Sequence, residues 1–454
     1  LTDLVLPITV REGLVELTGR SAQIEHQETA MPGPLVGYRV LDLSRILAGP
    51  WVGQLLSDFG AEVWKIERPG TGDDTRQWGP PYLRRDDESD TTESAYFLSA
   101  NRGKRSVCVD ISTPEGSRIV RELARRADVL VENFKVGDMK RYGLDYESLR
   151  GINPQIVYCS ITGYGQTGPM KDVPGYDMAI QAIGGLMSLT GESDERPGGG
   201  PQKVGVPIVD ILTGMYSTTA IIAALLHGSK TGIGQHIDMS LLDVQVGVLA
   251  NQNLNYLTTG LPPKRYGNAH PNIAPYQVFV TKDGSMVLAV GNDNQFRKFC
   301  TAAGISELSF DVRFRTNTDR IKNRGALVSL LESCFAARTT DWWLSVLEPI
   351  GVPCAPINTL DKVFSHPQVQ HRKLQIDLPH ASGATAPLVA NPVKFSNTTI
   401  EYTTSPPLRG EGTAEILRSV LGYSFEDVQR LSEAGVVEIG DAQFQQTERV
   451  AAVG

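Results

Sequence analysis

Short apolar runs of strand character alternate with helical segments over the first half of this chain, and that alternation limits the fold more than any other feature of the sequence. The run "YRVLDLS" (38–44) precedes "GPWVGQLLSDFGA" (49–61), in which Trp51, Leu55, Leu56 and Phe59 recur at helical spacing. "EVWKIE" (62–67) returns to strand character. "SVCVDI" (106–111), the helical "PEGSRIVRELARRA" (114–127), "DVLVENF" (128–134) and "PQIVYCSITGYG" (154–165) repeat the pattern. Such alternation predicts βαβ units, in which a parallel sheet carries helices on both faces. The expected class is an open α/β domain.

The segment "GMYSTTAIIAALLHGSKTG" (214–232) predicts a long apolar helix. The texture changes after Gly260, where "LPPKRYGNAHPNIAPYQ" (261–277) is rich in Pro, Gly and Asn, as a linker or functional loop would be. A compact segment follows, with strands in "YQVFVT" and "SMVLAVG", and "GVPCAPINTLDKVFSHPQVQHR" (351–372) reads as a second connection. At 454 residues the chain exceeds what one hydrophobic core serves, so two or more domains are expected. Residues 1–30 lack this patterning and precede Met31, where it begins; they read as an upstream extension outside the functional argument.

A net charge of -8 and a pI near 5.5 argue against nucleic acid as the main partner, since phosphate backbones require a basic surface. Cys108, Cys159, Cys300, Cys334 and Cys354 show no CxxC or CxH pairing, which fits buried thiols in a reducing compartment better than disulfides or zinc. No metal site is expected. No run of eighteen apolar residues occurs, so no membrane span is expected, and the N-terminal residues do not pattern as a signal peptide. The expected location is the cytoplasm.

In open α/β sheets ligands bind beyond the carboxyl ends of the strands, so the loops after strands carry the search for chemistry. The first is "SRILAGPWVG" (44–53), where Gly49 and Pro50 lead into a helix whose N–H groups suit an anion. It holds neither GxGxxG nor a Walker sequence. The second, "ERPGTGDDTRQWGPP" (67–81), crowds Arg68, Arg76 and Trp78 among glycines, a combination suited to phosphate and to a base or pantetheine arm. "ANRGKRSV" (100–107) adds Arg102, Lys104 and Arg105, and "GDMKRYG" (137–143) adds Lys140 and Arg141. Each cluster alone reads as solvated surface; three of them in an acidic chain favour a polyphosphate ligand. The glycine-rich "SITGYGQTGPMKDVPGYD" (160–177) predicts a loop that approaches a ligand or another backbone, with Tyr164, Gln166, Tyr176 and Asp177 as polar candidates.

One carboxylate, Asp210 in "VGVPIVDILTG", stands where a loop gives way to a helix. It suits the N-cap of that helix. A carboxylate held ionised by a helix dipole also suits a nucleophile. No GxSxG or HExxH competes with it, so carboxylate chemistry is the expected kind in an enzyme.

Taken together, "VLDLSRILAGPWVGQLLSDFGAEVWKIERPGTGDDTR", "NRGKRSVCVDI", "ADVLVENFKVGDMKRYGLDYESL", "SITGYGQTGP", "GYD", "TGIGQHIDMSLLD" and "GVPCAPINTL" resemble the class III CoA-transferases, which include α-methylacyl-CoA racemases, from about Leu35 to Val437. The resemblance implies a Rossmann-like large domain and a small α+β domain joined by two linkers, in ring-shaped subunits that form an interlocked homodimer. It divides the chain into an extension without stable structure (1–34), a large domain (35–250), a linker (251–275), a small domain (276–350), a second linker (351–385) and a C-terminal return to the large domain (386–440). It implies that Asp210 attacks an acyl-CoA thioester, through an aspartyl anhydride and an aspartyl-CoA thioester. It places CoA against Arg68, Arg141 and backbone at Ile46 and Ala48, with Lys104, Arg105 and Asn133 near the same ligand. CoA would be a substrate, with no cofactor bound permanently; the implied partners are a second copy of the chain, an acyl-CoA and a small carboxylic acid.

Two departures narrow the chemistry. Oxalate-using members carry Gln where this chain has Leu47, and a run of glycines where "GNA" (267–269) is here followed by His270-Pro-Asn-Ile. The racemase branch has His before the Asp of "GHD", where this chain has Tyr176. The sequence most resembles the subgroup that uses succinyl-CoA and short dicarboxylates, with Arg45, Arg265, Asn268 and His270 as candidates for a distal carboxylate. The alternatives left open are an α-methylacyl-CoA racemase and a non-catalytic CoA-binding scaffold, and for Arg265 and His270 a contact between linker and partner.

Overall fold

Neighbouring residues along the strands part to opposite faces of one sheet. Val40 separates from Leu41, Val129 and Val131 from Leu130, and Val157, Cys159 and Ile161 from Tyr158. Both sets are buried, as a sheet covered on both sides requires. The computed structural model describes residues 33–440. Its main sheet contains β1 (Arg39–Asp42), β2 (Glu62–Glu67), β3 (Lys104–Val109), β4 (Val129–Glu132), β5 (Val157–Thr162), β6 (His236–Ser240) and β7 (Val437–Glu438). The order is β7-β3-β2-β1-β4-β5-β6, parallel except for β7. The chain begins in the middle, builds outward through β2 and β3, then returns to lay β4 on the other side of β1. The loops after β1 and β4 therefore lead away in opposite directions and leave a crevice between them.

One face of the sheet is covered by α2 (Pro114–Ala124), which enters with Pro114 in its first turn and Thr113 accepting from the N–H of Gly116. Its Ile119, Val120 and Leu123 share a core with Ile416, Leu417 and Val428 from two C-terminal helices, Thr413–Ser419 and Phe425–Glu433. The other face is covered by α1 (Ala48–Asp58), α3 (Asp177–Ile183), α4 (Ile208–Thr231) and the start of α5 (Leu241–Gly247). Helix α4 is long and apolar enough to cross a membrane, which the search for apolar runs did not anticipate. One side of it is buried against α1 and β5 through Val209, Gly214 and Ile221. Its opposite side leaves Met215, Tyr216, Ile222 and Leu226 exposed.

A separate core lies under the antiparallel strands Tyr276–Val280, Ser285–Ala289 and Cys354–Pro356. It is built on aromatic rings: Phe335 stacks on Phe279 at 4.5 Å and meets Trp343 at 4.3 Å. The extension expected over residues 1–34 falls outside the described residues except for its last two positions.

Candidate active site

At the crevice between β1 and β4, a cavity of about 240 Å³ is lined by the loop after β1 (Arg45 to Ala48), the loop after β4 (Asn133 to Val136), the segment Lys171 to Tyr176, and Asp210. A second cavity of about 300 Å³ adjoins it and contains Arg68, Asp110, Ser112 and Tyr142. The two share Arg45, Phe134 and Asp138.

The loop after β1 is held in an unusual backbone conformation by buried charges. Ile46 has φ +72°, a region that costs a β-branched residue of order 1–3 kcal/mol. Its N–H donates to the Asp73 carboxylate at 3.2 Å. Lys65, fully buried, donates to Asp73 and to the Ser44 carbonyl, each at 2.9 Å. Burial opposes the charge on Lys65, but the carboxylates of Asp73, Asp42 and Glu67 outweigh it and raise its pKa. Burial likewise opposes the Asp73 charge, and Lys65 overcomes it, lowering that carboxyl to about 2. Asn133 clamps the same loop from β4: Oδ1 accepts from the Arg45 N–H at 2.9 Å and Nδ2 donates to the Arg45 carbonyl at 2.7 Å. The loop thus delivers Ala48 to the start of α1. Among the described residues the N–H groups of Leu47, Ala48 and Gly49 have no hydrogen-bond partner, as the first turn of a helix leaves them.

Asp210 does not cap its helix. Helix α4 starts at Ile208 and Asp210 lies within its first turn, with no hydrogen bond to its carboxylate among the described residues. The cap comes from Asp177, whose Oδ1 accepts from the N–H of Val209 at 2.8 Å while Oδ2 accepts from Gln181 at 2.6 Å. Burial, and secondarily the negative charge of Asp177, raise the Asp210 pKa to about 7. One turn further along the same face, Gly214 lets α4 approach α1: a Cβ there would lie 2.9 Å from the Ala48 carbonyl oxygen and 3.0 Å from Trp51 Cβ. This contact sets Asp210 over the N-terminal end of α1.

The sequence candidates divide into three groups. Arg45, Ile46, Leu47, Ala48, Asn133, Tyr176 and Asp210 line one cavity. Arg68 lines the neighbouring one; Arg141 lines neither, and is exposed beside Tyr142 and paired with Asp138 at 3.3 Å, both of which line that second cavity. The remainder lie elsewhere. Lys104 is fully buried, its amine donating to Asp42, the Pro50 carbonyl and Asn101, so it is a structural cation that no ligand reaches. Arg105 is the second residue of β3, at the opposite end of the sheet, and pairs with Glu415 at 2.8 Å. Arg265 is paired with Asp194 and donates to the Ser188 and Glu192 carbonyls. Asn268 is exposed outside both cavities, and His270 packs against Tyr276 while its carbonyl accepts from Arg324. Arg76 and Arg102 are also structural: Arg76 forks onto Glu67 at 2.7 and 2.8 Å, and Arg102 onto Asp58 at 2.5 and 2.8 Å. Trp78 meets the edge of Tyr96 rather than either cavity.

Sequence reasoning missed Phe134, Lys135, Asp138, Lys171 and Asp172 in the cavity walls. Each was within reach, since Phe134, Lys135, Lys171 and Asp172 lie in loops that follow strands and Asp138 opens the short helix Asp138–Arg141 just after one of them. Missed also were Asp73 and Lys65, whose buried pairing no local pattern reveals.

Comparisons with known proteins fit this geometry. The family described as CoA-transferase family III matches residues 35–413. The chain is 49% identical over 396 residues to the succinate–glutarate CoA-transferase of Agrobacterium fabrum, covering 86% of this chain and 97% of that protein. It is 43% identical over 405 residues to the succinyl-CoA:glutarate CoA-transferase of Homo sapiens, covering 89% and 90%. The crystal structure of a CAIB/BAIF family protein from Brucella suis is 50% identical and superposes with a TM-score of 0.75 over 86% of this chain and all of that one. A parallel sheet with this crevice, and a sequence match over most of its length, make the chain a member of CoA-transferase family III. It is an enzyme whose substrates are CoA thioesters.

Proposed function

We propose that this enzyme moves CoA from succinyl-CoA to a short dicarboxylic acid, with Asp210 as the nucleophile. The observation that carries the assignment is a half-buried carboxylate without a hydrogen-bond partner among the described residues, beside a helix N-terminus at the switch point of the sheet. Its relatives' names supply the donor and the acceptor class. The Asp210 carboxylate attacks the succinyl carbonyl, releasing CoA thiolate and leaving a mixed anhydride. The thiolate attacks the Asp210 carbonyl carbon, releasing succinate and leaving an aspartyl-CoA thioester. The acceptor carboxylate then attacks that thioester, releasing thiolate again, and the thiolate takes the acyl group to give the new CoA thioester and free Asp210.

A carboxylate whose pKa is raised to about 7 is more basic, hence more nucleophilic, than an ordinary one, and still half ionised at neutral pH. The N–H groups of Leu47 and Ala48, without a partner among the described residues and in the wall of the Asp210 cavity, are the donors available to the oxyanions. CoA lies along the paired cavities, its phosphates toward Arg68 and Arg141 and its pantetheine arm past Phe134 toward Asp210. Asn133 and Ile46 act on CoA by shaping the loop. Leu47 and Tyr176 form the acyl wall. Arg45 sits over Phe134, its guanidinium 5.6 Å from the ring centroid, and pairs with Asp74 at 2.9 Å, so it braces the passage between the cavities.

The subunits are read as rings closed by the linkers at 251–275 and 351–385, interlocked as a homodimer. Arg265, Asn268 and His270 then belong to the linker and its contact with the partner. Five unpaired cysteines suit a reducing, cytoplasmic setting.

The test is transfer from succinyl-CoA to glutarate, itaconate, citramalate, oxalate and carnitine, with products identified by mass and Asp210→Ala as the control. A dicarboxylyl-CoA that disappears in the variant, by at least about 1000-fold in kcat, is the expected result. Product that survives the loss of Asp210 refutes the nucleophile. Solvent deuterium at the substrate α-carbon would indicate a racemase instead.

A further inference from the structure

A dicarboxylate acceptor brings a second carboxylate into the Asp210 cavity, and so does the succinyl donor. Burying that charge requires a cation or several donors. The cationic side chains of the cavity wall are Arg45, Lys135 and Lys171. Arg45 is already committed to Asp74. Lys135 also lines this cavity, but it stands on the loop after β4 next to Phe134, along which the pantetheine arm is proposed to run, and that loop has no tie to the nucleophile's helix comparable to the one that follows. Lys171 begins the run Lys171 to Tyr176, and this run is fastened to the nucleophile's own helix. Tyr176 leads directly into Asp177, which holds the N–H of Val209, the neighbour of Asp210. Gly175 packs on Gly163 so closely that a Cβ on Gly163 would lie 2.6 Å from the Gly175 Cα, which fixes the run against the loop after β5. Among the described residues Lys171 forms no ion pair, and its side chain makes no hydrogen bond.

From this placement we infer that Lys171 is the specificity-determining cation of the site, pairing with the distal carboxylate of both the succinyl donor and the dicarboxylate acceptor. The inference rests on the transferase reading and adds that one subsite serves both half-reactions. Because a double displacement separates the two halves, kcat/KM for each substrate reports its own half alone.

The test compares wild type, Lys171→Gln and Lys171→Arg with the paired substrates glutarate and valerate, and succinyl-CoA and butyryl-CoA. In Lys171→Gln the ratio of kcat/KM for glutarate over valerate should fall about 10- to 100-fold, and the ratio for succinyl-CoA over butyryl-CoA should fall similarly. Lys171→Arg should recover most of both. Ratios that stay unchanged, including the case where every CoA thioester weakens alike through a phosphate contact, overturn the proposal. A fall confined to one half-reaction overturns the shared subsite. Calorimetric binding of glutarate and valerate to the intact protein gives a readout that needs no turnover. If wild type transfers CoA to no acid, the transferase reading fails; the subsite fails separately if glutarate is bound no more tightly than valerate, or equally by Lys171→Gln.

Discussion

Ionising Asp210 places a second negative charge beside Asp177 in a partly desolvated pocket, and its pKa rises to about 7 in consequence. Only the carboxylate form attacks a thioester. The rate with succinyl-CoA should therefore rise with pH through about 7 and level off above it, as read from kcat/KM between pH 5 and 9. Burial is the larger cause of the shift and Asp177 the smaller. Replacing Asp177 by Asn keeps an oxygen to accept the Val209 N–H but removes the charge, so the acid limb should move to lower pH. A midpoint that stays near 7 in Asp177→Asn would assign the whole shift to burial. Here the sequence was half legible. The lone Asp210 drew notice, but its environment came from Asp177, a residue 33 positions earlier, whose carboxylate reaches Val209 only in the folded chain.

At the level of elements, the approach of α4 to α1 decides where the carboxylate stands. Gly214 is the contact: a side chain there meets the Ala48 carbonyl and Trp51 at 2.9 to 3.1 Å. Alanine normally improves a helix interior by up to about 1 kcal/mol over glycine. At Gly214 the clash should reverse that sign, lowering stability by about 1–2 kcal/mol and reducing activity by shifting Asp210 from the α1 terminus. Gly228, on the same helix, has only an ordinary contact at 3.5 Å, so Gly228→Ala should leave activity intact and stabilise slightly. Urea melts and steady-state rates of the two variants, side by side, check the contrast. With Asp210 as its N-cap the helix was expected to begin just after that residue, whereas it begins at Ile208 and takes Asp210 into its first turn. "PIVD" carries no capping side chain of its own, because the cap is supplied from α3.

Across the whole molecule, α4 is buried on one side while Met215, Tyr216, Ile222 and Leu226 lie exposed on the other. Apolar surface of this kind on a long helix suits association with a second copy. If the subunits interlock as rings, they separate only by unfolding. Native mass measurements should give twice the 49.4 kDa chain mass, and tagged and untagged protein mixed in native buffer should exchange no subunits over days. Monomer at micromolar concentration, or exchange within hours, would contradict the interlocked assembly.

The sequence by itself determined the α/β class, the parallel order of strand and helix, and the loops that line the candidate site, because periodicity and turn chemistry are local properties of the chain. It also drew Asp210, Arg68, Asn133 and the Ile46–Ala48 loop into one reading through a resemblance carried by motifs in order. Only the tertiary structure decided which cations are free. Lys104 and Arg105 are adjacent and look alike in sequence, yet one is buried on Asp42 and the other lies exposed against Glu415 at the far end of the sheet. Lys171 has no motif of its own and lies in a cavity wall beside Asp210. Whether a charge is spent within the fold or left for a ligand depends on partners distant in sequence, and those partners meet only when the sheet assembles.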